Sequence, residues 1–190
     1  MARHLEFDRT DVLDRATGAF WRRGYEPLSA LDIAAAMGVA KSSLYNTFGS
    51  KRSLLLEAVD HYADSQRSML IARVASEDAT VLLRQMLLDV ISDNNAGCGC
   101  LLVNMAAEFG ARDDEVRQHI KAGLDGVMDA CATLILSGQK AGQFKSCINP
   151  RQHAVILVTG IAGLRVLAKG GCCADELHPV VDNMLTGLLA

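Results

Sequence analysis

The stretch Ser29–Lys51, S-A-L-D-I-A-A-A-M-G-V-A-K-S-S-L-Y-N-T-F-G-S-K, leaves this chain few choices of fold. It reads as two short helices joined by a tight turn, followed by the first turn of a third. Ser29 is a good N-cap, and Asp32, three residues on, can return the bond as a capping-box variant. Ile33, Ala34 and Met37 fall on one face of the helix that follows. Gly38 stands where the chain must leave that helix, because glycine takes the left-handed conformation at little cost. Val39 is small and apolar enough to lock the turn. The second helix carries Leu44 and Phe48, four residues apart, on its inner face. Its other face carries Lys41, Ser42, Ser43, Tyr45, Asn46 and Thr47. An apolar back and a polar front are what a helix needs to lie in the major groove of DNA. An ordinary amphipathic pair with a solvated face has the same pattern, so the flanks matter.

Those flanks are F-W-R-R-G-Y-E-P-L-S before the stretch and F-G-S-K-R-S-L-L-L-E-A-V around its end. With them, Asp8 to Tyr62 resembles the N-terminal DNA-binding domain of the TetR family of bacterial repressors. The resemblance is carried by Phe20, Gly24, Tyr25, Ser29, Ile33, Ala34, Gly38, Val39, Leu44, Tyr45, Phe48, Lys51 and Leu54. It implies DNA contacts from Ser29, Lys41, Ser42, Ser43, Tyr45 and Asn46, and a phosphate contact from Lys51. Elementary electrostatics agrees for Lys51: a lysine in the first turn of a helix capped by Ser50 joins an ammonium to outward-pointing N–H groups.

The formal net charge of −3 excludes a generally basic coat, so DNA contact has to come from a local patch. Arg3, Arg9, Arg15, Arg22, Arg23, Lys41, Lys51 and Arg52 supply one, with acidic residues interleaved. Met1 to Asp14 is charged throughout and lacks the apolar core of a secretory signal. The longest apolar run, Ala154 to Leu164, is short for a bilayer and is followed by Arg165. A cytoplasmic protein without a membrane partner is expected, and its six cysteines read as reduced thiols rather than a disulfide framework.

The rest of the chain reads as helix throughout. Asp8 or Thr10 can cap a first helix ending near Arg23, with Val12, Leu13, Ala16, Ala19 and Phe20 inward and Trp21 at the edge of the small core. A long helix runs from Lys51 to about Val74. Others are expected over Val81–Ser92, Leu101–Gly110, Asp113–Gln139, Pro150–Lys169 and Asp175–Leu189, with Asp93–Gly97 as a break and Met1–Phe7 as an arm. The fold class is all-α: a three-helix helix-turn-helix domain over residues 1–55, then a larger helical effector-binding and dimerisation domain over residues 56–190. Half of the 190 residues are hydrophobic, enough for a sizeable core. Pro150–Lys169 is apolar on nearly every side and needs cover all round. The simplest arrangement packs it and the last helix against their copies as a four-helix bundle. The family resemblance implies the same homodimer, which suits two recognition helices about one DNA turn apart on a palindromic, double-stranded operator.

A regulator of this kind needs a signal that releases it. Gly97–Phe109, G-C-G-C-L-L-V-N-M-A-A-E-F, resembles a subset of the TetR family with a G-C-L-L-x-N-x-x-x-E motif, among them the electrophile-sensing NemR-like repressors. The register places Cys100 on the motif cysteine and leaves Cys98 as an extra thiol. Both precede or open a helix, where the positive end of the dipole favours a thiolate, the form that reacts with oxidants and electrophiles. The candidate sensing residues are Cys100, Cys98, Met105 and Glu108. Three alternatives stay open. Buried cysteines are often only small hydrophobes. A small apolar ligand could sit among Met105, Phe109, Met128 and Leu157, with Glu108 as its polar anchor or else as a surface charge. Cys98, Cys100, Cys172 and Cys173 could hold a soft metal ion, although their spacing matches no zinc pattern. Cys131 and Cys147 read as core and loop. No cofactor is expected. An enzyme would have to use Cys100 with His119 or His153, and nothing supplies an orienting group or an oxyanion hole.

Overall fold

The computed structural model describes residues 8–92, 97–110 and 112–190. The expected arm Met1–Phe7 and most of the expected break after Ser92 lie outside the described residues. Among them the chain forms nine helices: α1 (Arg9–Arg23), α2 (Ala30–Met37), α3 (Lys41–Phe48), α4 (Lys51–Ser76), α5 (Ala79–Ile91), α6 (Leu101–Phe109), α7 (Asp114–Lys140), α8 (Pro150–Lys169) and α9 (Ala174–Leu188). Local chemistry sets their ends. Asp8 caps α1 by accepting from the Thr10 N–H, and Asn149 caps α8 by accepting from Gln152, with Pro150 as its first residue. Asp78 accepts from Thr80 and Val81, which starts α5 two residues earlier than the apolar pattern suggested. Gly38 ends α2 in the left-handed conformation, at φ 73° and ψ 28°.

The helices fall into two compact units: Met1–Asp64 with Leu101–Gly123, and Ser65–Cys100 with Leu124–Ala190. This division differs from a single cut after residue 55, because α6 and the start of α7 pack with the N-terminal helices. In the first unit α1 packs on α2, α2 on α3, and α6 on α1. Its buried residues include Ala16, Phe20, Ile33, Leu44, Leu54 and Val59, with Leu101, Leu102 and Met105 of α6 and Val116 of α7. A Cβ on Gly123 would lie 2.8 Å from Ala63 Cβ and 3.3 Å from Leu102, so α4, α6 and α7 meet closely there. Trp21 packs edge-on against Tyr62, with ring centroids 5.3 Å apart, as the edge position suggested.

In the second unit, α5 packs against α8 and α9. Leu82, Leu83 and Leu87 of α5 share a core with Leu134 and Ile135 of α7, Leu157 and Leu164 of α8, and Leu177, Val181 and Leu185 of α9. Phe144, in the connection after α7, is buried in the same core beside Gly138, a position that helical periodicity does not mark. Only Ala154, Leu157 and Leu164 of α8 are buried. Val155, Ile156, Val166 and Leu167 stay exposed on one broad face of the helix, with exposed Thr159 and Gly163 between the two pairs. With a mean hydropathy of 1.2, α8 has the length and apolarity of a membrane-crossing helix, which the reading of the shorter run Ala154–Leu164 did not anticipate. Its inner face belongs to the core, and Arg151 at its start reaches Asp129 (2.5 Å) and Asp125 (3.4 Å) of α7.

Candidate nucleic-acid interface

Ser29 forms the expected capping box: its hydroxyl accepts from the Asp32 N–H at 3.1 Å, and the Asp32 carboxylate accepts from the Ser29 N–H at 2.9 Å. A bond from the Ser29 hydroxyl to the Asp32 carboxylate, followed by that of the Ser29 N–H, holds this carboxyl below the usual range. The cap thus already engages the Ser29 hydroxyl. On α3, Leu44 and Phe48 are buried, while Lys41, Ser42, Tyr45 and Asn46 are exposed and Ser43 is half-buried. The Lys41 ammonium lies 5.9 Å from the centroid of the Tyr45 ring one turn on. A continuous polar surface therefore stands on an apolar footing, as the two-faced pattern requires.

The next helix begins with Ser50 accepting from the Ser53 N–H at 2.9 Å. Lys51 Nζ sits 3.9 Å above the centroid of the Tyr25 ring. That ring also meets Phe20 at 6.0 Å and Phe109 at 5.1 Å. Burial pushes the Tyr25 phenol up from its ordinary value. Beneath it, the Glu108 carboxylate accepts from the Tyr25 N–H (3.0 and 3.1 Å) and the Glu26 N–H (2.6 Å). Glu108 thus holds the backbone of the turn between α1 and α2.

Arg52 was counted in the basic patch on sequence grounds, and its position corrects that. Its guanidinium donates to both Asp113 oxygens, at 2.8 and 3.0 Å, and to Glu115. The Arg52 hydrogen bonds, followed by that of the Val116 N–H, hold the Asp113 carboxyl below the usual aspartate range. Two acidic partners at the start of α7 balance this charge, whereas Lys41 and Lys51 lie over the Tyr45 and Tyr25 rings.

Cys98 and Cys100 are half-buried and lie immediately before α6. Met105 is fully buried, a core residue of the first unit. Phe109 belongs to that unit, Met128 and Leu157 to the other. A cavity of about 200 Å³ lies between α8 and α9, lined by His153, Ile156, Leu157, Asn183, Met184 and Leu188. Cys131 is buried in the second core, and burial pushes its thiol up to about 12. Cys147 and Cys173 are exposed, and Cys172 is half-buried. Among the described residues no three His, Cys, Asp or Glu side chains converge as a metal site would need, so Cys98, Cys100, Cys172 and Cys173 do not assemble into one. His119 Nδ1 pairs with Asp60 at 2.8 Å, and His153 Nδ1 faces the Asn149 carbonyl at 3.1 Å.

Comparison with known proteins places these features in a lineage. The family model "Bacterial regulatory proteins, tetR family" matches residues 12–58, and "Tetracyclin repressor-like, C-terminal domain" matches residues 82–173. The chain is 29% identical over 193 residues to the uncharacterized HTH-type transcriptional regulator YezE of Bacillus subtilis (strain 168), covering 99% of this chain and 100% of that protein. It is 30% identical to CifR, a TetR family transcriptional regulator solved as a cysteine mutant with 26 base pairs of operator DNA. That match has a TM-score of 0.76 and covers 97% and 98% of the two chains. The reduced form of E. coli NemR shares the fold at 19% identity, with a TM-score of 0.83 over 95% and 96% of the chains.

Proposed function

The chain belongs to the TetR family of bacterial regulatory proteins, and we propose that it works as a homodimeric repressor whose α3 helices read a palindromic operator and whose release is governed by a signal sensed near Cys100. It is a DNA-binding transcriptional regulator and not an enzyme. The observation that carries the reading is the α3 face: Lys41, Ser42, Tyr45 and Asn46 exposed over buried Leu44 and Phe48. Ser43 faces the same side, Lys51 meets a phosphate at the start of α4, and Ser29 orders the approach of α2. The exposed apolar residues of α8 support a dimer built on α8 and α9, which sets two copies of α3 about 34 Å apart. A protein that acts on the chromosome acts in the cytoplasm.

The resemblance of Gly97–Phe109 to the NemR-like motif supports thiol sensing at Cys100, with Cys98 beside it. An electrophilic alkene conjugated to a carbonyl would bond its β-carbon to the cysteine sulfur, and the thiol proton would end on its α-carbon. The added bulk falls at the start of α6, beside buried Leu101 and Leu102. A small apolar ligand held without a covalent bond is the second reading, favoured by the cavity of about 200 Å³ between α8 and α9, which Leu157 lines. Fluorescence anisotropy of the reduced protein on its own upstream DNA tests both. Release by the electrophile in the wild type but not in Cys100→Ser supports the thiol switch. Release in neither moves the signal to a noncovalent ligand. Failure of the reduced protein to bind any of a broad panel of fragments at low salt would defeat the operator reading.

A further inference from the structure

The contacts around Tyr25 join two features that the sequence presents separately. After α1, the Gly24 N–H is satisfied by the Phe20 carbonyl at 2.8 Å, and the next two N–H groups both turn to one carboxylate, that of Glu108. Hydrogen bonds to an ionised acceptor are roughly twice as strong as neutral ones. Gly24 makes room for this grip: its φ is +78°, and a Cβ there would stand 3.1 Å from Glu108 Oε2. The Tyr25 ring is then fixed on its sides by Phe20 and by Phe109, the neighbour of Glu108 on α6. The Lys51 ammonium lies 3.9 Å from the centroid of the same ring. A cation over an aromatic face follows the ring, because its attraction falls off once it leaves that face.

We propose that Glu108 is a positioning residue for operator DNA: it sets the Tyr25 backbone, Tyr25 sets the Lys51 ammonium, and α6 thereby decides whether Lys51 reaches a phosphate. The inference rests on the DNA-binding reading above and adds its regulation. The relay, from α6 through Tyr25 to Lys51, lies within one compact unit. Cys98 and Cys100 stand at one end of α6 and Glu108 at the other, about 12 Å away at the helical rise. Buried Leu101, Leu102 and Met105 make the helix between them a stiff rod. A displacement at its start therefore reaches Glu108 as a change in the hold on Tyr25.

Salt dependence of operator binding separates this role from a merely structural one, since each phosphate contact contributes about 0.9 to the slope of log affinity against log salt. Wild type, Lys51→Ala, Glu108→Ala, Glu108→Gln and the double Glu108→Ala/Lys51→Ala variant are compared by anisotropy at several salt concentrations. Glu108→Ala is expected to weaken binding about fivefold or more and to lower the slope by about 0.9, as Lys51→Ala does. The double variant should be no weaker than Lys51→Ala alone. Glu108→Gln, which keeps the shape but offers one neutral oxygen, should fall between. If Lys51→Ala lowers the slope while Glu108→Ala leaves it unchanged, or if the two losses add, the relay is refuted and the phosphate contact stands. If Lys51→Ala itself leaves the slope unchanged, the phosphate contact has failed and the relay falls with it. Should Glu108→Ala fail to fold by circular dichroism, Glu108→Gln decides: a wild-type slope refutes the relay, and a reduced one supports it.

Discussion

Replacing Gly138 by alanine inserts one methyl group where the second unit has no room. The new Cβ would lie 2.5 Å from Phe144 Cε2 and 2.8 Å from Cγ, and closer still to Cδ2. Carbon atoms rest about 3.5–4.0 Å apart, so the ring must retreat by roughly 1 Å or more. It has little freedom to do so. Phe144 is 2% exposed, its N–H and that of Gln143 donate to the Gly138 carbonyl at 3.2 and 2.8 Å, and it is bridged to Leu189. Overpacking of a closed core costs about 1–3 kcal/mol. Alanine returns about 1 kcal/mol of helix propensity relative to glycine. The expected net destabilisation is about 0–2 kcal/mol, at most a few degrees in Tm for a chain of this size. Gly126→Ala, on the same helix, is the paired control: its Cβ meets only the flexible Arg67 side chain, at 3.4 Å, and should stabilise by about 0.5–1 kcal/mol. Urea unfolding followed by circular dichroism, at one protein concentration, reads both variants; fluorescence of Trp21 would report the other unit. Equal stability of the two variants would refute the packing argument.

Three further outcomes follow from the site. Tyr45 is 42% exposed, so Tyr45→Ala should weaken operator binding tenfold or more, at about 1.4 kcal/mol per tenfold, and leave the circular dichroism unchanged; normal binding by the folded variant would remove Tyr45 from the interface. The Arg52 pairing holds the Asp113 carboxyl below its ordinary value of 3.8, so the stability it contributes is present above that pH and is lost as pH falls through the lowered value. Wild type should therefore be more stable than Asp113→Asn at neutral pH and converge with it in strong acid; a constant gap would count against the pairing. Iodoacetamide should label exposed Cys147 and Cys173 in the native protein and leave buried Cys131 unlabelled until urea unfolds it, as mass spectrometry of the digested protein will show.

The helices and the α3 face were legible because their causes are local. A cap needs its partner within three or four residues, and Ser29 with Asp32, Ser50 with Ser53, and Asn149 with Gln152 stand at those spacings. The two faces of α3 follow from helical geometry alone, since Leu44 and Phe48 are one turn apart. The resemblance in those same residues foreshadowed the family that the comparisons establish.

Tertiary structure decided what each charge is for. Glu108 could be read as a surface charge or a pocket anchor because its partners are backbone N–H groups 82 and 83 residues away, which carry no side-chain signature. Arg52 looked like a free cation of the basic patch until the fold brought Asp113, 61 residues on, against it. Phe144 escaped a periodicity search because a single aromatic in a connection has no period; only the notch at Gly138 shows why it is buried. Sequence by itself determined the helices and the polar surface offered to DNA, since these depend on neighbours along the chain. The hold of α6 on Tyr25, and through it on Lys51, depends on neighbours in space, and folding alone creates them.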